Sequence, residues 1–225
     1  MSALYPVFLK LAGLPVVVVG GGTVAASKLD GLFAAGARVT VVAPHAIAAV
    51  RAADQAKQRM LDSGATLTVI EREFRASDLD GARWVVAAAT APVNGEVSLA
   101  AAARGLFVNA VDDPANATAN LGGVVRRGEV EIAISTGGVA PALAGLLREA
   151  LEAVLPEDLE QWIEVAATAR TEWKRTHLPM AERRPLLLRA LERIYARSTS
   201  TERTTLDVDA GTRPLPANPG IARSS

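Results

Sequence analysis

The chain has 225 residues, half of them hydrophobic and only 4% aromatic, with 24 acidic side chains against 24 basic ones. That length supports one substantial core, or a main domain with a smaller appendage, built mostly from Ala, Val and Leu. The balanced charge lacks the basic excess of a nucleic-acid-binding domain, and the absence of cysteine excludes disulfides, thiolate metal sites and a thiol nucleophile.

Residues 11–24 form an apolar run that is too short for a bilayer span, which needs about 20 residues. Only Lys10 precedes it, so it lacks the basic leader of a secretion signal. It reads better as a buried strand entering a glycine turn. The expectation is a cytoplasmic protein with no membrane partner.

Residues 15–19 (PVVVV) are β-branched and continuously apolar, as in a strand buried on both faces. Three glycines break the run, and residues 23–35 then read as a helix closed by Gly36. A second strand is predicted at 37–43, a helix at 45–63 ending at Gly64, and a third strand at 66–70. A fourth strand follows at 83–89, a helix at 93–104 and a fifth strand at 106–110. Strands that alternate with helices predict an α/β fold, a doubly wound parallel sheet whose strand ends share one ligand-binding edge. Beyond Asp113 the pattern changes. Runs 121–125 and 130–135 flank Arg126-Arg127-Gly128-Glu129 and predict a hairpin. Helices are predicted at 141–154, about 157–175 and 180–197. Residues 198–225 are rich in Ser, Thr, Gly and Pro and read as a disordered tail.

Gly20-x-Gly22-x-x-Ala25 follows a strand and opens a helix, which is the dinucleotide fingerprint in its G-x-G-x-x-A form. The first glycine permits the tight turn, the second lets backbone approach a diphosphate, and the small third residue packs helix on strand. The helix start, Thr23 and Val24 included, offers N–H groups and a positive dipole end to phosphates. The carboxylate that usually ends the second strand is missing, since Ala43-Pro44 stands there. The residues alone therefore leave NAD and NADP both open. Thr90 and Asn109 sit at strand ends on the same edge, where capping and ligand contact are both open readings.

Asp112 and Asp113 follow the fifth strand. A carboxylate before proline usually serves a turn, so Asp113 reads as structural; Asp112 is placed to move a proton. Arg126 and Arg127 are either a solvated hairpin tip or partners for an anionic substrate. Ser135-Thr136-Gly137-Gly138 runs into the helix at Pro141, where it can cap that helix, cradle a carboxylate, or do both. His45 and His177 stand apart from any ligand spacing, and no metal site is predicted.

The chain resembles the precorrin-2 dehydrogenase/sirohydrochlorin ferrochelatase family, the siroheme-forming module. The resemblance is carried by Tyr5-Pro-Val-Phe8, by Gly20-Gly-Gly-x-Val-Ala25 with Lys28, by Val39-Thr-Val-Val-Ala-Pro44, and by Ala88-Ala-Thr90 with Asn94. It continues through Asn109-x-Val-Asp-Asp-Pro114, Val125-Arg-Arg-Gly128, Ile132-Ala-Ile-Ser-Thr-Gly-Gly138, and Pro141-Ala-Leu-Ala144 with Leu147-Arg148-Glu149. The resemblance implies a Rossmann-like NAD-binding domain over 1–113, a small dimerisation segment over 114–150 and a helical domain over 151–197. The tail at 198–225 is left outside it.

It implies a homodimer with the site built between subunits. NAD is the implied cofactor, held by Gly20, Gly22, Thr23, Val24, Ala25, Ala43, Pro44, Thr90 and Asn109. The implied substrate is a tetrapyrrole rich in carboxylates, contacted by Arg126, Arg127, Thr136, Gly137, Gly138 and Arg148. Asp112 matches the family's essential aspartate, as base or as the group that orients the ring. Many relatives also insert ferrous iron, which enters as substrate.

Two stretches depart from the family pattern. The usual Cys/Ser-x-Phe-x-x-Pro is here Ala117-Thr-Ala-Asn-Leu-Gly122, and the usual Lys/Thr-Ser-Pro is Val139-Ala140-Pro141. Both fall on the substrate side. They point to weak activity, a lost chelatase step or an altered tetrapyrrole, and the loop at 117–122 keeps open a non-catalytic NAD-responsive tetrapyrrole-binding or regulatory module. A chelatase or tetrapyrrole carrier without redox work is a third reading, which the intact glycine turn opposes.

Overall fold

A computed structural model describes residues 4–57 and 64–209. Five strands, β1 (Pro15–Val19), β2 (Arg38–Ala43), β3 (Thr66–Glu71), β4 (Trp84–Ala87) and β5 (Val108–Ala110), lie parallel in the order β3-β2-β1-β4-β5. Helices α1 (Thr23–Ala34), α2 (Ala48–Lys57) and α3 (Ala91–Ala102) connect them. The part of the predicted 45–63 helix that falls on 58–63 lies outside the described residues. The strand order reverses between β1 and β4, which is where ligands bind in such sheets.

The valines of β1 show why its sequence is apolar without alternation. Val16 and Val18 pack on one face with Leu29 and Phe33 of α1 and Val50 of α2, while Val17 and Val19 pack on the other with Val97 and Ala101 of α3. Each buried side chain of this size is worth roughly 1.5–3 kcal/mol relative to exposure. Small residues elsewhere let the helices lie close: Ala25, Ala37 and Ala101 are fully buried.

The crossover from β3 to β4 carries no α-helix. It is made by a short 3-10 turn, Ala76–Leu79, that the sequence reading did not anticipate. Arg72 fixes it by a two-pronged bond to Asp78, at 2.8 and 2.5 Å, and the Asp78 carboxylate also accepts the Arg75 backbone N–H at 2.8 Å. Leu79 then anchors the turn in the core.

Backbone packing divides the chain into two compact units. The first runs up to Val124 and includes Ala133–Ala150; the second combines Val125–Ile132 with the chain from Leu151 onward. The division passes through the hairpin of β6 (Gly123–Arg127) and β7 (Val130–Ile134), and through α4 (Pro141–Val154). The hairpin tip thus groups with the helices, whereas the four-part reading put 114–150 in one segment. The second unit also holds α5 (Leu159–Arg175) and α6 (Met180–Asp209). His177, at φ +54, ends α5 in the left-handed position usually given to glycine, and the Leu178 N–H returns to the Trp173 carbonyl at 3.0 Å.

The sequence reading ended the last helix at 197 and assigned 198–225 to a disordered tail. The structure corrects this in part, because α6 continues to Asp209. Ser198 to Asp209 is polar but holds no Gly or Pro to break a helix, and the first such residue is Gly211. Residues 210–225 lie outside the described residues.

The Arg72 guanidinium holds the Asp78 carboxyl below the usual aspartate range. A carboxylate lowered in the folded state stabilises the fold fully above its unfolded value, about 4, and loses that contribution as pH falls through the lower folded value. Asp78→Ala should therefore destabilise the protein by about 1–2 kcal/mol near neutral pH. In denaturant melts, the gap to wild type should close progressively as the solution is acidified below the unfolded value.

Candidate functional site

The site starts where β1 ends. Gly20 has φ +125 and donates its N–H to the Val42 carbonyl at 2.9 Å; a Cβ on it would lie 2.2 Å from the Ala88 carbonyl oxygen. A Cβ on Gly21 would lie 2.2 Å from the His45 carbonyl oxygen. The protein's own backbone thus dictates both glycines. Gly22 differs, because it caps α1 with extended backbone and a Cβ there would meet nothing within 4 Å. The space beside it belongs to no protein group. The first turn of α1 carries N–H groups without intrahelical partners and holds no acidic residue, so its positive end faces that space. Ala25 is fully buried under the turn. This arrangement fits a dinucleotide diphosphate, in the way the fingerprint requires.

A cleft adjoins the turn, lined by Val24 of α1, by Ala88, Ala89, Ala91 and Asn94 after β4, and by Val111, Asp112 and Asp113 after β5. Asp112 takes φ +56, a conformation that Asp tolerates better than most residues, and its side chain is exposed. Asn94 is nearly fully buried. Its Oδ1 accepts the Ala89 N–H at 3.1 Å and its Nδ2 donates to Asp113 Oδ2 at 3.3 Å. Asn116 Nδ2 donates to the same Asp113 oxygen at 2.9 Å, and the Asn116 N–H returns to the Asp113 carbonyl at 3.1 Å. Asp113 is therefore occupied in holding a turn, and Asp112 is left facing the cleft. Neither Asn94 nor Gly21 stands among the residues singled out from sequence as site residues. Both stand among the residues that carry the family resemblance, which gave them no role of their own.

The other candidate residues take varied positions. Thr90 caps α3 through its backbone with no side-chain bond, and it is exposed between two cleft residues. Ala43 is buried against Gly21 and Pro44 is exposed. Asn109 is buried; its Nδ2 donates to the Ala119 carbonyl at 3.1 Å, while its Oδ1 has no partner among the described residues. The loop that departs from the family pattern is pinned along β5. Thr118 and Ala119 both donate backbone N–H groups to the Val108 carbonyl at 2.9 Å, and the Val108 N–H donates to the Thr118 hydroxyl at 2.8 Å. Gly122 ends that loop so close to Ile134 that a Cβ would overlap its carbonyl.

Gly137 and Gly138 take φ +66 and +80, and the Thr136 hydroxyl accepts the Ala140 N–H at 3.3 Å, which closes the turn onto the start of α4. Arg148 contacts Glu149 at 3.3 Å. In the second unit Arg126 pairs with Glu131 at 2.7 Å. Arg127 donates to the carbonyls of Glu152, Leu155 and Pro156 at 3.1, 2.5 and 3.1 Å, so its guanidinium closes the end of α4. Among the described residues no group of three or more His, Asp or Glu is arranged to hold a metal ion, and no helix is long and apolar enough to cross a membrane.

Comparison with known proteins agrees with this geometry. A family model described as putative NAD(P)-binding matches residues 7–123, and one described as sirohaem biosynthesis protein central matches residues 127–153. Siroheme synthase 1 of Aeromonas salmonicida (strain A449) is 40% identical over 188 residues, which cover 83% of this chain and 38% of that protein. Siroheme synthase of Pseudomonas entomophila (strain L48) is 39% identical over 180 residues, covering 80% and 37%. The chain thus spans well under half the length of these relatives. Among solved structures, SirC, precorrin-2 dehydrogenase, superposes with a TM-score of 0.65 at 27% identity, covering 91% of this chain and 98% of that one.

The three glycines should separate on substitution. Gly22→Ala should keep the wild-type melting temperature yet weaken dinucleotide binding by roughly tenfold or more, since its Cβ enters only the ligand's space. Gly20→Ala should lose about 2–4 kcal/mol of stability, because both its positive φ and its contact with Ala88 forbid a side chain. Thermal melts beside calorimetric titration with NAD+ distinguish the two outcomes.

Proposed function

The chain belongs to the putative NAD(P)-binding family whose model spans residues 7–123, and from that premise, with its likeness to siroheme synthases and to SirC, we propose that it oxidises precorrin-2 to sirohydrochlorin with NAD+. The observation that carries the proposal is the cleft itself, which brings the diphosphate turn of α1 and the Asp112 carboxylate to one opening. NAD+ held at Gly20, Gly22, Thr23 and Val24 supplies the hydride acceptor.

The oxidation removes a hydride and a proton from the tetrapyrrole. Asp112 receives the proton, or orients the ring so that it leaves, and returns it to solvent. Asn94 and Asn116 hold the neighbouring carboxylate of Asp113, so the Asp112 backbone is fixed while its side chain remains available. The tetrapyrrole's carboxylates are received at the turn of Thr136, Gly137 and Gly138, whose Gly137 N–H already donates to the Ser135 hydroxyl at 3.1 Å, and by Arg148. Ferrous iron, where inserted, is a second substrate of the same cleft, and Asp112 assists loss of the pyrrolic protons.

We place the protein in the cytoplasm as a homodimer. Val139 just before α4 and Leu143, Leu146 and Leu147 in its first half expose apolar surface, all within the matched sirohaem central segment. Such a contiguous patch is suited to cover by a second copy.

The test is anaerobic incubation of the protein with precorrin-2 and NAD+, followed by NADH absorbance and by the tetrapyrrole spectrum, with Fe2+ added afterwards. Wild type should form NADH in step with sirohydrochlorin. Asp112→Ala should lower turnover by about 100-fold or more while still binding NAD+. Undiminished oxidation by that variant would remove Asp112 from the mechanism. NAD+ binding without turnover in wild type would favour the non-catalytic module that the altered loop at 117–122 left open.

A further inference from the structure

We propose that Glu71, at the end of β3, is the carboxylate that selects NAD over its 2′-phosphorylated form, and that Arg51 is the cation it restrains; this rests on the dinucleotide reading above. In sheets of this kind an acidic residue at the end of the second strand usually faces the adenosine ribose. Here β2 ends in Ala43, which packs against Gly21 and carries no hydrogen-bonding group. The register places Glu71 directly beside Ala43 on the adjoining strand, at the same edge of the sheet as the glycine turn. Alternation along β3 puts Glu71 on the face of Leu67 and Val69, which pack into the core shared by α1 and α2. The carboxylate therefore lies one strand away from its usual position, at the same edge and on the α1 side of the sheet.

Arg51 lies in the first turn of α2, which the chain enters a few residues after leaving β2. Its Nε and Nη2 reach Glu71 Oε1 at 2.9 and 2.5 Å. The two side chains are 51% and 44% exposed, so the pair is open to a ligand at the sheet edge. A ribose 2′-hydroxyl can donate to this carboxylate, whereas a 2′-phosphate meets it as a like charge. Arg51 alone would have the opposite preference, since a guanidinium fork matches phosphate. Glu71 both reads the hydroxyl and neutralises the cation that would otherwise attract the phosphate.

The experiment titrates the full chain with NAD+ and, separately, with NADP+ by calorimetry, for wild type, Glu71→Gln and Arg51→Ala, with a thermal melt of each. An exposed ion pair contributes little to stability, so both variants should melt like wild type. Wild type should bind NAD+ more tightly. Glu71→Gln should weaken NAD+, strengthen NADP+, and move the ratio of the two affinities by about tenfold or more toward NADP+. Arg51→Ala, which keeps the carboxylate, should retain the preference for NAD+ and bind NADP+ no better than wild type. An unchanged ratio in Glu71→Gln, or a shift toward NADP+ in Arg51→Ala, would overturn this assignment alone. Failure of the wild-type chain to bind either nucleotide would instead overturn the dinucleotide reading on which it stands.

Discussion

Backbone pressed against backbone at the end of β1 is the constraint from which the rest of the first unit follows. Gly20 lies against Ala88 at the end of β4, and Gly21 against His45 just past β2. Three chain segments converge at one point, and no side chain has room there. The convergence aims the start of α1 outward, which leaves the N–H groups of its first turn facing open space. It also has a consequence for β2. The residue that closes that strand packs against Gly21, and Ala43 is small enough to do so.

A second, polar frame stands across the cleft. Asn94 links the Ala89 backbone, just past β4, to the Asp113 carboxylate just past β5, and Asn116 completes the hold. Removing the buried amide would take one partner from the Ala89 N–H and one from the partly buried Asp113 carboxylate, and so loosen the link between the two strand ends. The frame separates two adjacent carboxylates by task. Asp113 is fully engaged in geometry, while Asp112, in a left-handed conformation, stays exposed to whatever enters. Two like residues side by side thus differ in exposure and in hydrogen-bond partners.

Much of this architecture was legible in the residues. The runs of Val and Ala gave all five strands in order, because parallel strands buried on both faces leave a continuous apolar signature. The fingerprint pointed to Gly20, Gly22 and Ala25, since each spacing there has a steric reason. Gly21 was not legible, because the pattern leaves its middle position free and only the tertiary approach of His45 constrains it. Asn94 stood in a resemblance motif, but its role was not legible, because its partner Asp113 is distant in sequence. Arg127 was read as a hairpin-tip cation with an anionic partner in view, yet its guanidinium meets three carbonyls from the end of α4. Composition misled at the last helix, where polar residues suggested a tail but 198–209 holds no Gly or Pro and continues α6 to Asp209. The missing crossover helix before β4 left no signature, because one ion pair and one buried leucine do its work.

The stretch at 117–119 has a further consequence, for assembly rather than catalysis. A parallel sheet ends in strands whose outward amides and carbonyls can recruit a strand from another molecule. On the β5 side, the Val108 amide and carbonyl are already satisfied by Thr118 and Ala119. That flank is blunted at Val108, and on the opposite flank of the five-stranded sheet exposed Thr66, Thr68 and Glu71 present polar and charged groups. The stretch that departs most from the family pattern thus covers part of a sheet edge that another strand could otherwise join.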